Sequence, residues 1–525
     1  MIVNKLMLML GAAALVVSAP ACDQNKNKKP KIPGTTPATT TATEPTPLPP
    51  GTDDRNLDDA EITRAVDREL LFAGLIDATA VKVDTKQGIV ELTGTVDNML
   101  AKQRATEIAR TVKGVLSVSN RIDVKAVDRP DDELESAVEG ALLRDPAADS
   151  YEVKVKASDG VVTLTGTVDS WHEKQLSEQI ALRVRGVEKI DNQIDIEYTT
   201  NRTDPELASD VASSLEWDAL VDHRLIDVRV DNGTVFLTGT VGSAAEKTRA
   251  ISDAWVTGTK MVNGSGLKIE WWAEDPNKRK LPFVSKPDAE IAEAVKRAAL
   301  YDPRVLSFNV VPTVSHGVVT LHGTVDNMKA KQAAERLARN TTGVIAVRNN
   351  LNVAPPAPIA DSAVAGFIDA GLARSPITES YEIDVAVDHG IATLRGTVDS
   401  FAEKAEAEDV ALRTTGVLGV INQLEVTSPA HALVFDDLID GPDVIDWMIY
   451  VPGSTELADD AIKSAIETEI LWDPDVDSWQ VKVEVEDGTA TLTGQVDSYY
   501  ERREATANAL EGGAVAVVNQ LAVAR

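Results

Sequence analysis

The sequence predicts an α+β fold class: six tandem αββαβ modules, each a three-stranded sheet with two helices on one face. Three recurrences carry that prediction. The tetrapeptide Gly-Thr-Val-Asp begins at Gly94, Gly166, Gly323 and Gly396, with variants at Gly239 and Gly494. Another glycine precedes each by a constant interval, at Gly88, Gly160, Gly233, Gly317, Gly390 and Gly488. A third follows at Gly114, Gly186, Gly258, Gly343, Gly416 and Gly513, and then an asparagine at Asn120, Asn192, Asn263, Asn349, Asn422 and Asn519. Self-similarity of this kind marks a repeat architecture.

Each element follows from its own pattern. Ile62, Ala65, Val66 and Leu70 in the first copy, and Ile291, Val295 and Ala299 in the fourth, write one apolar stripe at helical spacing. Turn chemistry closes this first helix in most copies, at Asp145-Pro146, Asp302-Pro303, Ser375-Pro376 and Asp473-Pro474, because the residue before proline avoids the helical region. A hairpin comes next. The glycine after Asp159, Asn232 or Asp487 supplies a positive φ. Val153, Val155, Val162 and Leu164 share a buried face, while Lys154 and Thr163 point away.

After the signature a second helix opens on a capping box, as in Ser170 with Glu173, Ser243 with Glu246, Ser400 with Glu403 and Ser498 with Glu501. The serine accepts from the third helical amide and the glutamate reaches back. The apolar stripe is clearest at Ala330, Ala333, Ala334, Leu337 and Ala338, and the helix stops at the third glycine, a left-handed cap. A last strand alternates at Ile194 and Ile196, or Leu351 and Val353. Only one sheet face alternates as buried, so both helices are expected to cover it, with a right-handed strand–helix–strand crossover. The sequence leaves the strand order open.

At 525 residues and 43% apolar content the chain is long enough for several cores. Its net charge of −31 repels DNA, RNA and bare anionic bilayers, so no nucleic-acid partner is expected. Lys5, an apolar run from Leu6 to Val17 and Ala19-Pro20-Ala21 read as a signal peptide over residues 1–21, too short for a permanent span. Cys22 is the sole cysteine, which excludes disulfides within the chain and thiol metal clusters. A Thr/Pro/Lys-rich tether is expected over 22–56, where Lys26, Lys28, Lys29 and Lys31 would each gain about 1 kcal/mol beside anionic headgroups. The modules are expected at 57–126, 129–198, 203–271, 286–354, 360–428 and 456–525, with linkers at 272–285 and 429–455. The second linker carries Phe435, Trp447 and Met448 and is expected to pack on a neighbour.

This element order, the Gly-x-Val after the hairpin and the Gly-Val followed by Val-x-Asn resemble the BON (bacterial OsmY and nodulation) domain, over nearly all of the chain from about Leu57. The resemblance implies a periplasmic or membrane-associated protein of the bacterial envelope, linked to membrane integrity and osmotic protection. It implies no catalytic centre and no cofactor. Phospholipid or envelope proteins are the implied partners, and modules packing on one another would allow self-association. Ala21-Cys22 is also similar to a lipobox, which implies lipidation at Cys22, although Ala19 stands where leucine is usual. Ordinary signal peptidase would accept Ala19-x-Ala21 and leave Cys22 unmodified. The third copy departs from the pattern, with Gly242 in place of the aspartate, Gly258 one residue early and no proline at Asp218-Ala219.

No reactive constellation accompanies the repeats. Asp97, Asp169, Asp326, Asp399 and Asp497 recur at helix starts, where negative charge is favourable in any case. None of the histidines forms a His-Glu-x-x-His pair, and His316 and His389 occupy the turn position. No catalytic residue or metal ligand is expected. Met99, Trp171, Met328, Phe401 and Tyr499 each follow the cap of the second helix, where they can reach lipid, a neighbouring module or their own core. Two functions fit: a lipid-anchored envelope scaffold, or a soluble periplasmic spacer without a specific ligand.

Overall fold

The computed structural model describes residues 58–72, 80–145, 153–198, 200, 202–273, 286–305, 309–355, 357–378, 380–427, 459–473, 476, 480–486, 488–496, 499–514 and 516–523. The expected signal peptide, Cys22, the tether and the 429–455 linker lie outside them.

In the first module the order is α1 (Asp59–Phe72), β1 (Val81–Lys86), β2 (Ile89–Val96), α2 (Met99–Thr111) and β3 (Ser117–Val124). The hairpin pairs β1 with β2 antiparallel, Val81 opposite Gly94 and Lys86 opposite Ile89. β3 then pairs parallel to β2, from Ile89 opposite Ser117 to Val96 opposite Val124. The hairpin's second strand is therefore the middle strand, and every module repeats this order. A parallel neighbour needs a crossover, which the second helix provides. In module six the last strand is divided into Ala516–Asn519 and Ala522–Val523.

The hairpin turn is left-handed at both central residues. Gln87, Asp159, Asn232, His316 and His389 have φ between 49° and 54°, each followed by a glycine at positive φ, the conformation of a type I′ turn. An aspartate at the start of the first helix holds this turn. Asp59 accepts from the Gln87 and Gly88 amides at 2.8 and 2.9 Å. Asp204, Asp288 and Asp361 do the same to Asn232–Gly233, His316–Gly317 and His389–Gly390. This recurring acid was absent from the sequence reading, although its interval to the turn glycine is constant.

The signature glycine has a different cause. Gly94 sits at φ 129°, and a Cβ there would lie 2.0 Å from the Ala80 carbonyl oxygen. Gly239, Gly396 and Gly494 meet a backbone carbonyl at 2.1, 2.0 and 1.9 Å. Close approach of two strands, not a ligand, accounts for the glycine.

Each core lies between the sheet and its two helices. In module one Ile62, Val66, Val90, Leu92, Ala105 and Ile122 are buried together. The other sheet face is open: in module two exposed Lys154 and Lys156 alternate with buried Val153 and Val155. The asparagine of the last strand ties that strand to the second helix. Asn120 Nδ2 donates to the Lys102 carbonyl and to Thr106 Oγ1, both at 2.7 Å, while its Oδ1 accepts from the Ile122 amide at 3.0 Å. Asn192, Asn349, Asn422 and Asn519 repeat the tie to the helix carbonyl. Module three breaks it. Its last strand shifts register between Phe236 and Thr238, and Asn263 instead accepts from the Ser265 amide and hydroxyl.

Candidate functional site

The helical faces that a lone module would leave open meet other modules. Contact begins at the cap of the second helix. Ser170, Ser243 and Ser400 accept from the Glu173, Glu246 and Glu403 amides; Asn98 and Asn327 cap modules one and four in the same way. The glutamates reach one residue further back than a standard capping box, to the amides of Asp169, Gly242 and Asp399. These caps fix the direction of the next side chain.

That side chain lands on a neighbour. Met99 of module one packs on the core of module two. Trp171 of module two stacks on Trp255 of module three, centroids 5.3 Å apart and planes 4° from parallel. Ala244, the equivalent residue of module three, is buried in the core of module one. The contacts therefore close a ring through modules one, two and three. Met328 of module four packs on the core of module five. The side chains of Phe401 and Tyr499 lie outside the described residues. Ala244 escaped the sequence reading because a methyl group among alanines gives no signal of contact.

A second set of contacts joins modules in pairs. In modules three and four, Trp217 packs on the core of module four and Tyr301 on that of module three. The Thr342 amide donates to the Trp217 carbonyl and the Ala219 amide to the Asn340 carbonyl, each at 2.9 Å. Modules one and six meet at Arg68, which reaches Glu69 and Glu469 at 3.3 Å each. Burial first, then the Glu469 charge, push the Glu69 carboxyl up to about 7 against the pull of Arg68.

Modules two, four and five share a buried charge cluster. Asp409, 1% exposed, is 3.1 Å from Arg183 of module two, 2.5 Å from Lys329 of module four and 2.9 Å from Arg413 of its own module. Burial alone would raise the Asp409 carboxyl, but Arg413, Lys329 and Arg183 hold it well below the usual range. Burial likewise brings Lys329 down to about 8. Glu406 adds a second acid, 3.4 Å from Arg183 and 3.1 Å from Arg413. Arg413 is a helical neighbour of both acids, whereas Arg183 and Lys329 come from distant modules.

Among the described residues no group of three or more His, Cys, Asp or Glu is placed to hold a metal ion. No described helix is long and apolar enough to cross a membrane. The recurring polar groups cap helices, clasp turns and tie strands.

Fold and contacts define a tandem-repeat α+β protein whose repeats dock on one another. Residues 58–126, 130–198, 203–264, 287–355, 360–428 and 458–525 match the BON domain, and the chain belongs to that family. The third match stops at the glycine-rich register shift. The chain is 34% identical to Osmotically-inducible protein Y of Escherichia coli (strain K12) over 145 residues, 26% of this chain and 72% of that protein. It is 26% identical over 155 residues to an uncharacterised protein in the gshII 5′ region of Anaplasma centrale, 28% of this chain and 99% of that one. Among solved structures it is similar to the C-terminal domain of CdsD, the structural protein of the Type III secretion system of Chlamydia trachomatis. That similarity has 15% identity and a TM-score of 0.12, over 41% of this chain and 100% of that one.

Proposed function

We propose that this chain is a non-catalytic scaffold of the bacterial envelope, held in the periplasm by a lipidated Cys22 and supporting osmotic tolerance by gathering phospholipid or envelope proteins. The observation that carries this reading is how the helical faces are used. The second helices in particular are spent on neighbouring modules, so the surface offered to partners is made largely of outward sheet faces, hairpins and the outer sides of the first helices. Similarity to an osmotically inducible protein supports the stress role, and the use of recurring polar groups as caps and ties supports a non-catalytic one. With a net charge of −31 and a Debye length of about 8 Å in physiological salt, such a protein would meet anionic lipid through local basic or neutral surface only.

The test is genetic and chemical. Cells lacking the protein are expected to lose viability after hyperosmotic shock and to regain it with the wild-type chain, less so with Cys22→Ser. Mass spectrometry of the mature N-terminus is expected to show a diacylglyceryl adduct on Cys22. An unmodified Cys22 in the soluble fraction would leave the soluble-spacer reading. Co-sedimentation with liposomes of mixed composition reads the lipid part, and no binding to any of them would remove it.

A further inference from the structure

Modules two and five pair as modules three and four do, with one difference. Counted from the aspartate that opens the first helix, Asp204 or Asp288, the residues that plug the facing core are Trp217 and Tyr301. The same position holds Arg144 in module two and Arg374 in module five, counted from Asp131 and Asp361. In place of two aromatic plugs there is a cavity of about 320 Å³, lined by Arg144, Arg183, Arg374 and Arg413 together with Phe367 and Ile180.

The four arginines are not equal. Arg183 and Arg413 are occupied by Asp409 and Glu406. Arg144 lies over the Phe367 ring, 5.7 Å from its centroid. Among the described residues no carboxylate pairs with Arg374. Burial first, then repulsion from Arg144, Arg413 and Arg129, bring its guanidinium down to about 10. The lining sets four arginines against two acids, Asp145 and Glu406, so even in a chain of net charge −31 this cavity is a site short of negative charge.

We propose that this cavity binds a phosphomonoester dianion, gripped between Arg144 and Arg374. Two guanidinium forks match the tetrahedral oxygens of phosphate and can each donate two parallel hydrogen bonds. A double charge neutralises both arginines, whereas a single carboxylate would leave one uncompensated. Phe367 and Ile180 provide an apolar wall for the carbon substituent of the ester. The same chemistry is offered by a small soluble phosphate and by the headgroup of phosphatidic acid. The site stands independently of the envelope-scaffold reading.

Isothermal titration of the full chain with inorganic phosphate, glycerol 3-phosphate and dihexanoyl phosphatidate tests this, with acetate and dihexanoyl phosphatidylcholine as controls. The phosphomonoesters are expected to bind with submillimolar affinity, and Arg374→Gln or Arg144→Gln to weaken them at least about tenfold. Arg374→Gln is also expected to melt no lower than wild type without ligand, because it relieves like-charge repulsion; that separates lost binding from lost folding. Phosphatidate binding about tenfold tighter than glycerol 3-phosphate would identify the lipid headgroup as the source, and equal binding a soluble ester. Absence of binding at about 10 mM phosphomonoester, equal binding of phosphatidylcholine, or unchanged affinity in both variants would overturn the site.

Discussion

A buried carboxylate with three cationic partners from three modules is the residue on which most depends. Asp409 costs free energy to bury and returns it only while Arg183, Lys329 and Arg413 remain in place. A second residue responds to pH. Glu69, raised from its usual 4.5 to about 7 by burial and by Glu469, holds its proton more tightly folded than unfolded. The stability it contributes is complete below about 4.5 and is lost as pH rises through about 7. Between pH 5 and 8 the wild type should lose on the order of 1–3 kcal/mol relative to Glu69→Gln; parallel melting profiles would contradict this. Gly94→Ala should cost about 3 kcal/mol in urea unfolding, because its Cβ has no space beside the Ala80 carbonyl; a loss below about 1 kcal/mol would show that the strand can shift aside.

At the scale of elements, the asparagine tie makes strand and second helix one unit. Asn120→Ala removes bonds to a helix carbonyl, a threonine hydroxyl and a strand amide and should cost about 1–3 kcal/mol. Asn263→Ala should cost only about 0.5 kcal/mol or less, since among the described residues the Asn263 side chain bonds only Ser265; equal losses would mean the two residues do the same work. Here the sequence was readable. Turn glycines, serine caps and apolar alternation act within a few residues of chain, so their pattern repeats wherever the fold does. The glutamate cap one residue further back was not readable, because a capping box and its longer variant use the same residues. The aspartate that clasps the hairpin was missed for a related reason: it lies in the first helix while its partner lies in the turn, and only a search for constant intervals would have linked them.

Across the whole folded region, packing between modules gives the repeats a shared fate. Met99, Trp171 and Ala244 close one ring of contacts, and Trp217 and Tyr301 exchange places between another pair. Trp171→Ala should cost about 1–3 kcal/mol, with Trp255 fluorescence shifting to the red on exposure; an unchanged spectrum would show that the stack is not held in solution. The sequence marked Met99, Trp171 and Met328 as able to reach lipid, a neighbouring module or their own core, but which module each meets was not legible in the repeat, because the docking residues differ from copy to copy: Met, Trp, Ala and Met at one position, Arg or an aromatic at another. Periodicity reports what the modules share, and docking uses what they do not. The most direct measurement is hydrogen–deuterium exchange of Asp409→Asn against wild type. Faster exchange is predicted in the second helices of modules two (Trp171–Leu182) and four (Met328–Arg339) as well as in Phe401–Leu412. A change confined to residues 360–428 would show six independent modules and contradict the account.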